Sequence, residues 1–138
     1  MITQPGPVRT WHDIARARDA SLLGELLADD VVFRSPAVFT PQHGRAKTTL
    51  YLTAAIAVLG PTLRYVDEWY ADSSAVLEFE ADLDGIVVHG VDMLRWDDTG
   101  RLTSFTVMVR PVKGLQQLMG MMSAELTRLT GSTPRSDS

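Results

Sequence analysis

The feature that most constrains the fold is a run of four segments in which apolar and polar residues alternate. The segments span residues 63–71, 75–83, 86–96 and 102–110, and the short turn sequences DSS, DG and DDTG separate them. A period of two places successive side chains on opposite faces of a β-strand. Asp-Gly favours a tight hairpin, because Gly accepts the positive φ of a type I′ turn. The pattern therefore predicts a four-stranded antiparallel meander.

Helical patterns flank this meander on both sides. Thr10 is a suitable N-cap for a first helix with Trp11 and Ile14 on one side. A short helix is predicted over 21–27, a short strand over 31–33, and the longest helix over 44–59. A final helix over 114–129 carries a stripe of Leu and Met. This order of elements, with helices first, then the meander and then a closing helix, predicts an α+β fold. In such a fold the helices pack against one face of an antiparallel sheet.

Length and composition indicate one domain and exclude several classes of protein. We expect residues 1–138 to form a single domain with loose ends at about 1–8 and 131–138. The formal net charge is −4, which argues against nucleic acid and anionic membranes as partners. The chain has no Cys, which excludes disulfides and thiolate sites, and it has no apolar run of membrane-spanning length. We expect a cytoplasmic protein that uses no metal or cofactor.

The stretch VVHGVDML, residues 87–94, places a carboxylate in a strand that otherwise reads as core. Counting back from the Asp84–Gly85 turn places Leu77 opposite Asp92, and a four-residue DDTG loop places Phe105 opposite Asp92. This register separates the faces by polarity, which a slip of one residue would not do. The face that carries Asp92 is otherwise apolar: Leu77, Phe79, Ala81, Val88, Gly90, Leu94, Phe105, Val107 and Val109. An unpaired buried charge costs several kcal/mol, so we expect a raised pKa for Asp92.

The opposite face of the predicted sheet is polar: Glu78, Glu80, Asp82, His89, Arg95, Ser104, Thr106 and Arg110. We expect His89 to form a cross-strand charge pair with Glu80. Arg110 is expected to serve a salt bridge or an interface. The pattern leaves open whether Glu78, Glu80, His89 and Arg110 belong only to this surface or to a site.

Four stretches, in their order and spacing, resemble the NTF2-like superfamily, and most closely its ketosteroid isomerase and SnoaL-like branches. They are RDASLLGELLADDVVFRSP, PQHGRAKTTLYL, VHGVDMLRWDDTGRLTSFTV and GLQQLMGMM, and the resemblance extends over about 11–118. It implies an NTF2-like cone, in which a curved antiparallel sheet packs on N-terminal helices and encloses an apolar pocket. It also implies a homodimer and a small apolar molecule as ligand.

The resemblance to the isomerases assigns roles to three residues. Asp92 falls where the isomerases keep an aspartic acid protonated, so that it donates a hydrogen bond to the substrate's developing oxyanion. Trp11 falls at the position of their oxyanion-hole tyrosine, and Ser35 at that of their general-base aspartate. With Asp92 as the candidate catalytic residue, the expected ligand-binding residues are Trp11, Ser35, Phe39, Tyr51, Phe79, Phe105 and Val107.

The chain also departs from each related activity. Serine has no useful basicity without a partner base, and TVMVRP lacks the acid that SnoaL-type cyclases carry near the end of the last strand. Epoxide-hydrolase relatives bridge two Asp with an Arg, and here the predicted register splits the matching residue types across two faces. Three hypotheses therefore stand: a pocket enzyme with isomerase-, cyclase- or hydrolase-like chemistry on a carbonyl or polycyclic compound, a non-catalytic binding or dimerisation module, and a purely structural Asp92.

Overall fold

The fold combines helices with one six-stranded sheet in a computed structural model that describes residues 3–131. The helices are α1 (Gly6–Ala17), α2 (Leu23–Leu26), α3 (Arg45–Leu59) and α4 (Val112–Thr130), and a 3₁₀ turn (Ala20–Leu22) precedes α2. The strands are β1 (Leu27–Arg34), β2 (Gln42–His43), β3 (Arg64–Tyr70), β4 (Ser74–Leu83), β5 (Ile86–Trp96) and β6 (Leu102–Arg110). The predicted α+β class is confirmed, because helices pack against one face of this curved sheet.

The sheet has the strand order β2-β1-β6-β5-β4-β3. Its neighbours are antiparallel except for β1 and β6, which are parallel, so the sheet is mixed rather than wholly antiparallel. The prediction fails at this one pair because β1 and β6 are not joined by a hairpin. A long connection through α3 and the meander returns the chain beside β1, and only such a crossover allows parallel pairing.

The first helix begins at Gly6, four residues before the predicted N-cap at Thr10. Pro7 occupies the first turn, where its fixed φ suits a helix and its missing N–H is not needed. Val8 lies one helical turn before Trp11 and is fully buried, so residues 6–8 are not a loose leader. The predicted loose tail at 131–138 lies, apart from Gly131, outside the described residues.

The segment after α1 is helical over 20–26, close to the predicted 21–27, but the strand that follows it differs from the prediction. Strand β1 begins at Leu27 rather than at Val31, and the acidic pair Asp29–Asp30 lies exposed within it. The register between β1 and β6 shifts between Leu27 and Val32. This irregularity breaks the period of two, so the first half of the strand does not show the alternation that identifies β-structure in a sequence.

The four strands of the meander are confirmed, with ends that differ from the prediction by no more than one residue. The β4–β5 register is as predicted, with Leu77 opposite Asp92. Between β5 and β6 the predicted register is wrong by two residues, because Val107 rather than Phe105 lies opposite Asp92. The difference arises in two steps, because Trp96 pairs with Leu102 rather than with Arg101, and the register shifts by one more residue between Trp96 and Arg95. A shift of two keeps every side chain on its face, so the predicted separation of an apolar from a polar face holds.

Helices α3 and α4 pack together over the inner face of the sheet, which positions the site described below. Their predicted extents, 44–59 and 114–129, agree closely with those observed. No helix within residues 3–131 combines the length and the apolar character needed to cross a membrane.

Candidate functional site

A cavity of about 240 Å³ lies between the inner face of the sheet and helices α3 and α4. Most of its walls are apolar, and helix α4 contributes Leu115, Leu118, Met119, Met122 and Leu126. The lining residues that carry polar side-chain atoms are Trp11, Ser35, Gln42, Tyr51, Tyr65, Asp92 and Ser123. Mostly apolar walls with a few polar groups are typical of small-molecule sites.

Asp92 is the one ionisable carboxyl in the cavity wall formed by the described residues. It is 5% exposed and lies between Leu77 and Val107 on the neighbouring strands. Burial raises the pKa of Asp92 from 3.8 to about 7, because the apolar surroundings disfavour its charged form, and a hydrogen bond from Tyr65 opposes this rise. The burial of Asp92 therefore accounts for the raised pKa that the sequence predicts.

Tyr65 holds the carboxyl in place and was not identified in the sequence. Its hydroxyl donates to Oδ2 of Asp92 over 2.5 Å and accepts from the indole Nε1–H of Trp11 over 2.8 Å. Burial raises the pKa of Tyr65 well above its usual value, and the neighbouring carboxyl of Asp92 raises it further. Tyr65 therefore stays neutral and acts as a fixed donor to Asp92.

A second group of polar residues lies behind Tyr65, away from the cavity. The His12 ring contacts Tyr65 edge-on, with ring centroids 4.6 Å apart, and its Nε2 pairs with the Glu68 carboxylate. The other oxygen of Glu68 accepts from the Tyr70 hydroxyl over 2.5 Å and from the Gln4 amide over 3.3 Å. These contacts tie β3 to α1 at the point where Tyr65 and Trp11 meet.

A bulge in β3 explains why the sequence pattern did not reveal Tyr65. Tyr65 pairs with Phe79, but Asp67 pairs with Glu78, so one extra residue is inserted between them. The insertion places Tyr65 and Glu68 on the same face, although their spacing of three is wrong for a regular strand. A regular count from the Tyr70–Ala75 pair places Val66 rather than Tyr65 opposite Phe79, so the sequence pattern held no signal for Tyr65.

The structure brings most of the predicted ligand-binding residues to the cavity wall: Trp11, Ser35, Tyr51, Phe79, Phe105 and Val107. Trp11 differs from the prediction in its contact, because its N–H is committed to Tyr65 and acts on Asp92 only through that hydroxyl. Ser35 directs its oxygen to its own loop, where it accepts from the backbone N–H groups of Ala37 and Val38 over 3.1 and 3.3 Å.

Phe39 does not line the cavity, so this part of the prediction is wrong. The loop between β1 and β2 presents Pro36, Ala37 and Val38 to the cavity. The side chain of Phe39 follows them and is 92% exposed. The Ser35 hydroxyl accepts from the backbone N–H groups of the two residues just before Phe39, and the Phe39 ring lies outside the cavity.

The outer face of the sheet carries the other polar residues considered above. His89 contacts Glu78 over 2.6 Å, diagonally across the strands, rather than its directly opposite neighbour Glu80. Glu80 pairs instead with Arg64 over 3.2 Å, and Arg110 approaches His89 to 3.4 Å. None of these residues lines the cavity, so among residues 3–131 no arginine bridges two carboxylates there.

No group of three or more His, Cys, Asp or Glu within the described part of the chain is arranged to hold a metal ion.

Solved structures show where this architecture recurs. A steroid delta-isomerase from Pseudomonas aeruginosa is 35% identical, with a TM-score of 0.86 over 91% of this chain and 93% of that one. An uncharacterised protein with a cystatin-like fold from Silicibacter pomeroyi is 26% identical, with a TM-score of 0.80 over 86% and 84%.

An epoxide hydrolase/cyclase-like enzyme of pyran ring formation in salinomycin is 14% identical, with a TM-score of 0.64 over 77% of this chain and 89% of that one. This enzyme shares the fold.

No functionally curated protein shows significant sequence similarity to the chain. The sequence model of the SnoaL-like domain family matches residues 8–105, which is more than half of the chain. The chain therefore belongs to the SnoaL-like family, within the NTF2-like superfamily.

Proposed function

We propose that the cavity binds a small, mostly apolar carbonyl or polycyclic compound, and that protonated Asp92 donates a hydrogen bond to its oxygen. The observation that carries this proposal is a single carboxyl, 5% exposed, in an otherwise apolar wall. Among the described residues its one hydrogen-bond partner is Tyr65, which leaves the carboxyl proton available to a ligand. A buried donor of this kind stabilises an oxygen that gains negative charge.

The chemistry best supported is proton transfer at a carbonyl compound, as in an isomerase. A carboxyl with a pKa of about 7 exists in both protonation states near neutral pH, which suits general acid catalysis. The Trp11–Tyr65 pair fixes the carboxyl, so little reorientation accompanies the transfer. The steroid delta-isomerase, at 35% identity, supports this class of reaction over the cyclase- and hydrolase-like ones.

A non-catalytic binding module is the second candidate, and one observation favours it. Within residues 3–131 the cavity wall contains no His, Lys, Arg or Glu and no second Asp. Ser35 occupies the position of the isomerases' base and directly follows the end of β1. The last residue of β1 pairs with Thr106, which is adjacent to the residue opposite Asp92. Two strand spacings of about 4.8 Å therefore separate Ser35 from Asp92. That separation leaves room for a ligand between the donor, Asp92, and Ser35, which has no basic group.

Turnover of a β,γ-unsaturated ketone tests the choice between the two candidates. We expect the wild type to bind the ketone and isomerise it slowly, and Ser35→Asp to raise the rate, because a general base supplies about 10²–10⁴-fold. Ser123→Asp is the matched control, since it adds the same acid elsewhere in the cavity wall. Rapid wild-type turnover would show that another group is the base. If Ser35→Asp binds the ketone but remains inactive, the binding module becomes the better description.

Loss of the carboxyl tests the ligand site itself. Asp92→Ala should weaken ketone binding by about 1–3 kcal/mol, because it removes a buried donor. Calorimetric titration of the two proteins measures the difference. Equal affinities would remove Asp92 from the ligand site and leave it a structural acid.

A further inference from the structure

Gln42 is a buried polar residue in the cavity wall that the proposed function does not use. It is 6% exposed, lies in the edge strand of the sheet and pairs with Phe33 of the neighbouring strand. The short strand β2 and the loop before it hold its backbone in place. A long amide side chain in an apolar wall requires partners for its oxygen and its nitrogen.

The amide of Gln42 is only partly satisfied. Its Nε2 donates to the carbonyl oxygen of Thr40 over 3.3 Å. Its Oε1 accepts no hydrogen bond from any residue between 3 and 131. That oxygen is not sealed off, because Thr48 Oγ1 is the one side-chain polar atom among residues 3–131 that is both fully buried and without a partner. Gln42 Oε1 is therefore open to a hydroxyl group on a ligand, which would donate to it.

Gln42 and Asp92 lie three strands apart on the sheet that forms one wall of the cavity. The register connects Gln42 through Phe33 and Phe105 to Leu94, which lies two residues from Asp92 on β5. Three strand spacings of about 4.8 Å and two residues of about 3.4 Å separate the two backbones by roughly 16 Å. Their side chains both reach into the same cavity, so a ligand of two or three rings could contact both.

We infer that Gln42 is a second anchor, which accepts a hydrogen bond from a hydroxyl group at the far end of the ligand. The preferred ligand is then apolar in its middle and oxygenated at both ends, with a carbonyl at Asp92 and a hydroxyl at Gln42. This inference rests on the proposed function, because it assumes that Asp92 receives the carbonyl. It adds the chemistry of the opposite end.

Three matched compounds test the inference: 4-acetylbiphenyl, its 4′-hydroxy derivative and its 4′-methoxy derivative. Affinities are measured by calorimetry at pH 5.5, where Asp92 is protonated. The hydroxy compound should bind roughly tenfold more tightly than the other two, since only it can donate to Oε1. The methoxy compound controls for the size and polarity of the substituent without any change to the protein.

Protein variants assign the preference to one residue. Gln42→Leu should abolish the preference for the hydroxy compound and leave the affinity for 4-acetylbiphenyl within about twofold. Gln42→Met serves the same purpose if the branched side chain prevents folding. Ser123→Ala is the matched control, because it removes a different polar group of the wall, and it should retain the preference.

The outcomes separate the two proposals. If 4-acetylbiphenyl binds in a manner that depends on Asp92, but the hydroxy compound binds no better, Gln42 is not an anchor and the proposed function stands. Loss of the preference in Ser123→Ala, rather than in Gln42→Leu, would assign the hydroxyl to Ser123 and overturn the inference. If none of the three compounds binds, the proposed function fails, and the inference fails with it.

Discussion

The Tyr65 hydroxyl lies 2.5 Å from Oδ2 of Asp92 and is the donor that limits the rise in that carboxyl's pKa. Tyr65 cannot readily ionise, because burial and the adjacent carboxyl both raise its own pKa. The pair therefore holds one exchangeable carboxyl proton at the wall of an apolar cavity.

Removal of the Tyr65 hydroxyl should raise the pKa of Asp92 above about 7. The hydrogen bond favours the ionised carboxylate, so Tyr65→Phe leaves burial unopposed. Carbon-13 NMR of the Asp92 carboxyl through a pH series measures the change. Tyr70→Phe is the control, because that hydroxyl bonds to Glu68 instead. An unchanged or lowered pKa in Tyr65→Phe would show that the hydroxyl does not stabilise the charged form.

Stability should fall with rising pH on account of Asp92. Its pKa is raised from 3.8 to about 7 on folding, so the folded protein binds the proton more tightly than the unfolded chain. The stabilisation is full below pH 3.8 and is lost as the pH rises through about 7, by up to about 4 kcal/mol. Urea unfolding of wild type and Asp92→Asn across this range tests the sign. A difference between the two proteins that does not vary with pH contradicts it.

Gly90 should tolerate no side chain. A Cβ there would lie 2.3 Å from the carbonyl oxygen of Met108 and 2.8 Å from the Phe79 ring, which lines the cavity. Gly90→Ala should therefore cost about 1–3 kcal/mol of folding stability. Gly120→Ala, in α4, should instead stabilise the protein by about 0.5–1 kcal/mol, because its added Cβ would meet no described residue within 4 Å beyond its own helix backbone and chain neighbours. Thermal unfolding of both variants provides the comparison, and equal effects would argue against the close contact at Gly90.

The sequence predicted those parts of the fold in which pattern and geometry agree. Regular alternation located the four meander strands, and the Asp84–Gly85 turn fixed the β4–β5 register that places Asp92 on the apolar face. Where the backbone departs from regularity, the pattern carried less information. The irregularities in β1, in β3 at Tyr65–Asp67 and at Arg95–Trp96 each changed a pairing that alternation alone could not predict.

The candidate site was predictable in its centre and less so around it. Asp92 was conspicuous as a single acid among apolar residues. The Tyr65 hydroxyl depends on a bulge, and Gln42 lies in a two-residue strand too short to show a period. Phe39 was misassigned because hydrophobicity indicates burial only on average, and loop geometry decides the orientation of one side chain.

We propose that two copies of the chain pair through the outer face of the sheet. That face exposes Trp69, Val87 and Met108, each 54% exposed, among charged residues. Sedimentation equilibrium should show twice the 15.2 kDa chain mass, and Met108→Asp should shift the protein toward the monomer. Phe39→Asp is the control, because it places the same charge at an exposed residue away from the sheet. A monomeric wild type at tens of micromolar would contradict the proposal.

The pH dependence of ketone binding tests the central claim, that protonated Asp92 donates to the ligand. The probe is 4-acetylbiphenyl, which accepts hydrogen bonds but cannot donate them, and its affinity is measured from pH 5 to pH 9 for wild type and Asp92→Asn. Wild-type affinity should be constant below about pH 7 and fall by up to tenfold per pH unit above it, as Asp92 loses its proton. Asp92→Asn keeps a donor at every pH and should bind without this dependence. Wild-type affinity that stays constant across the whole range would contradict the account.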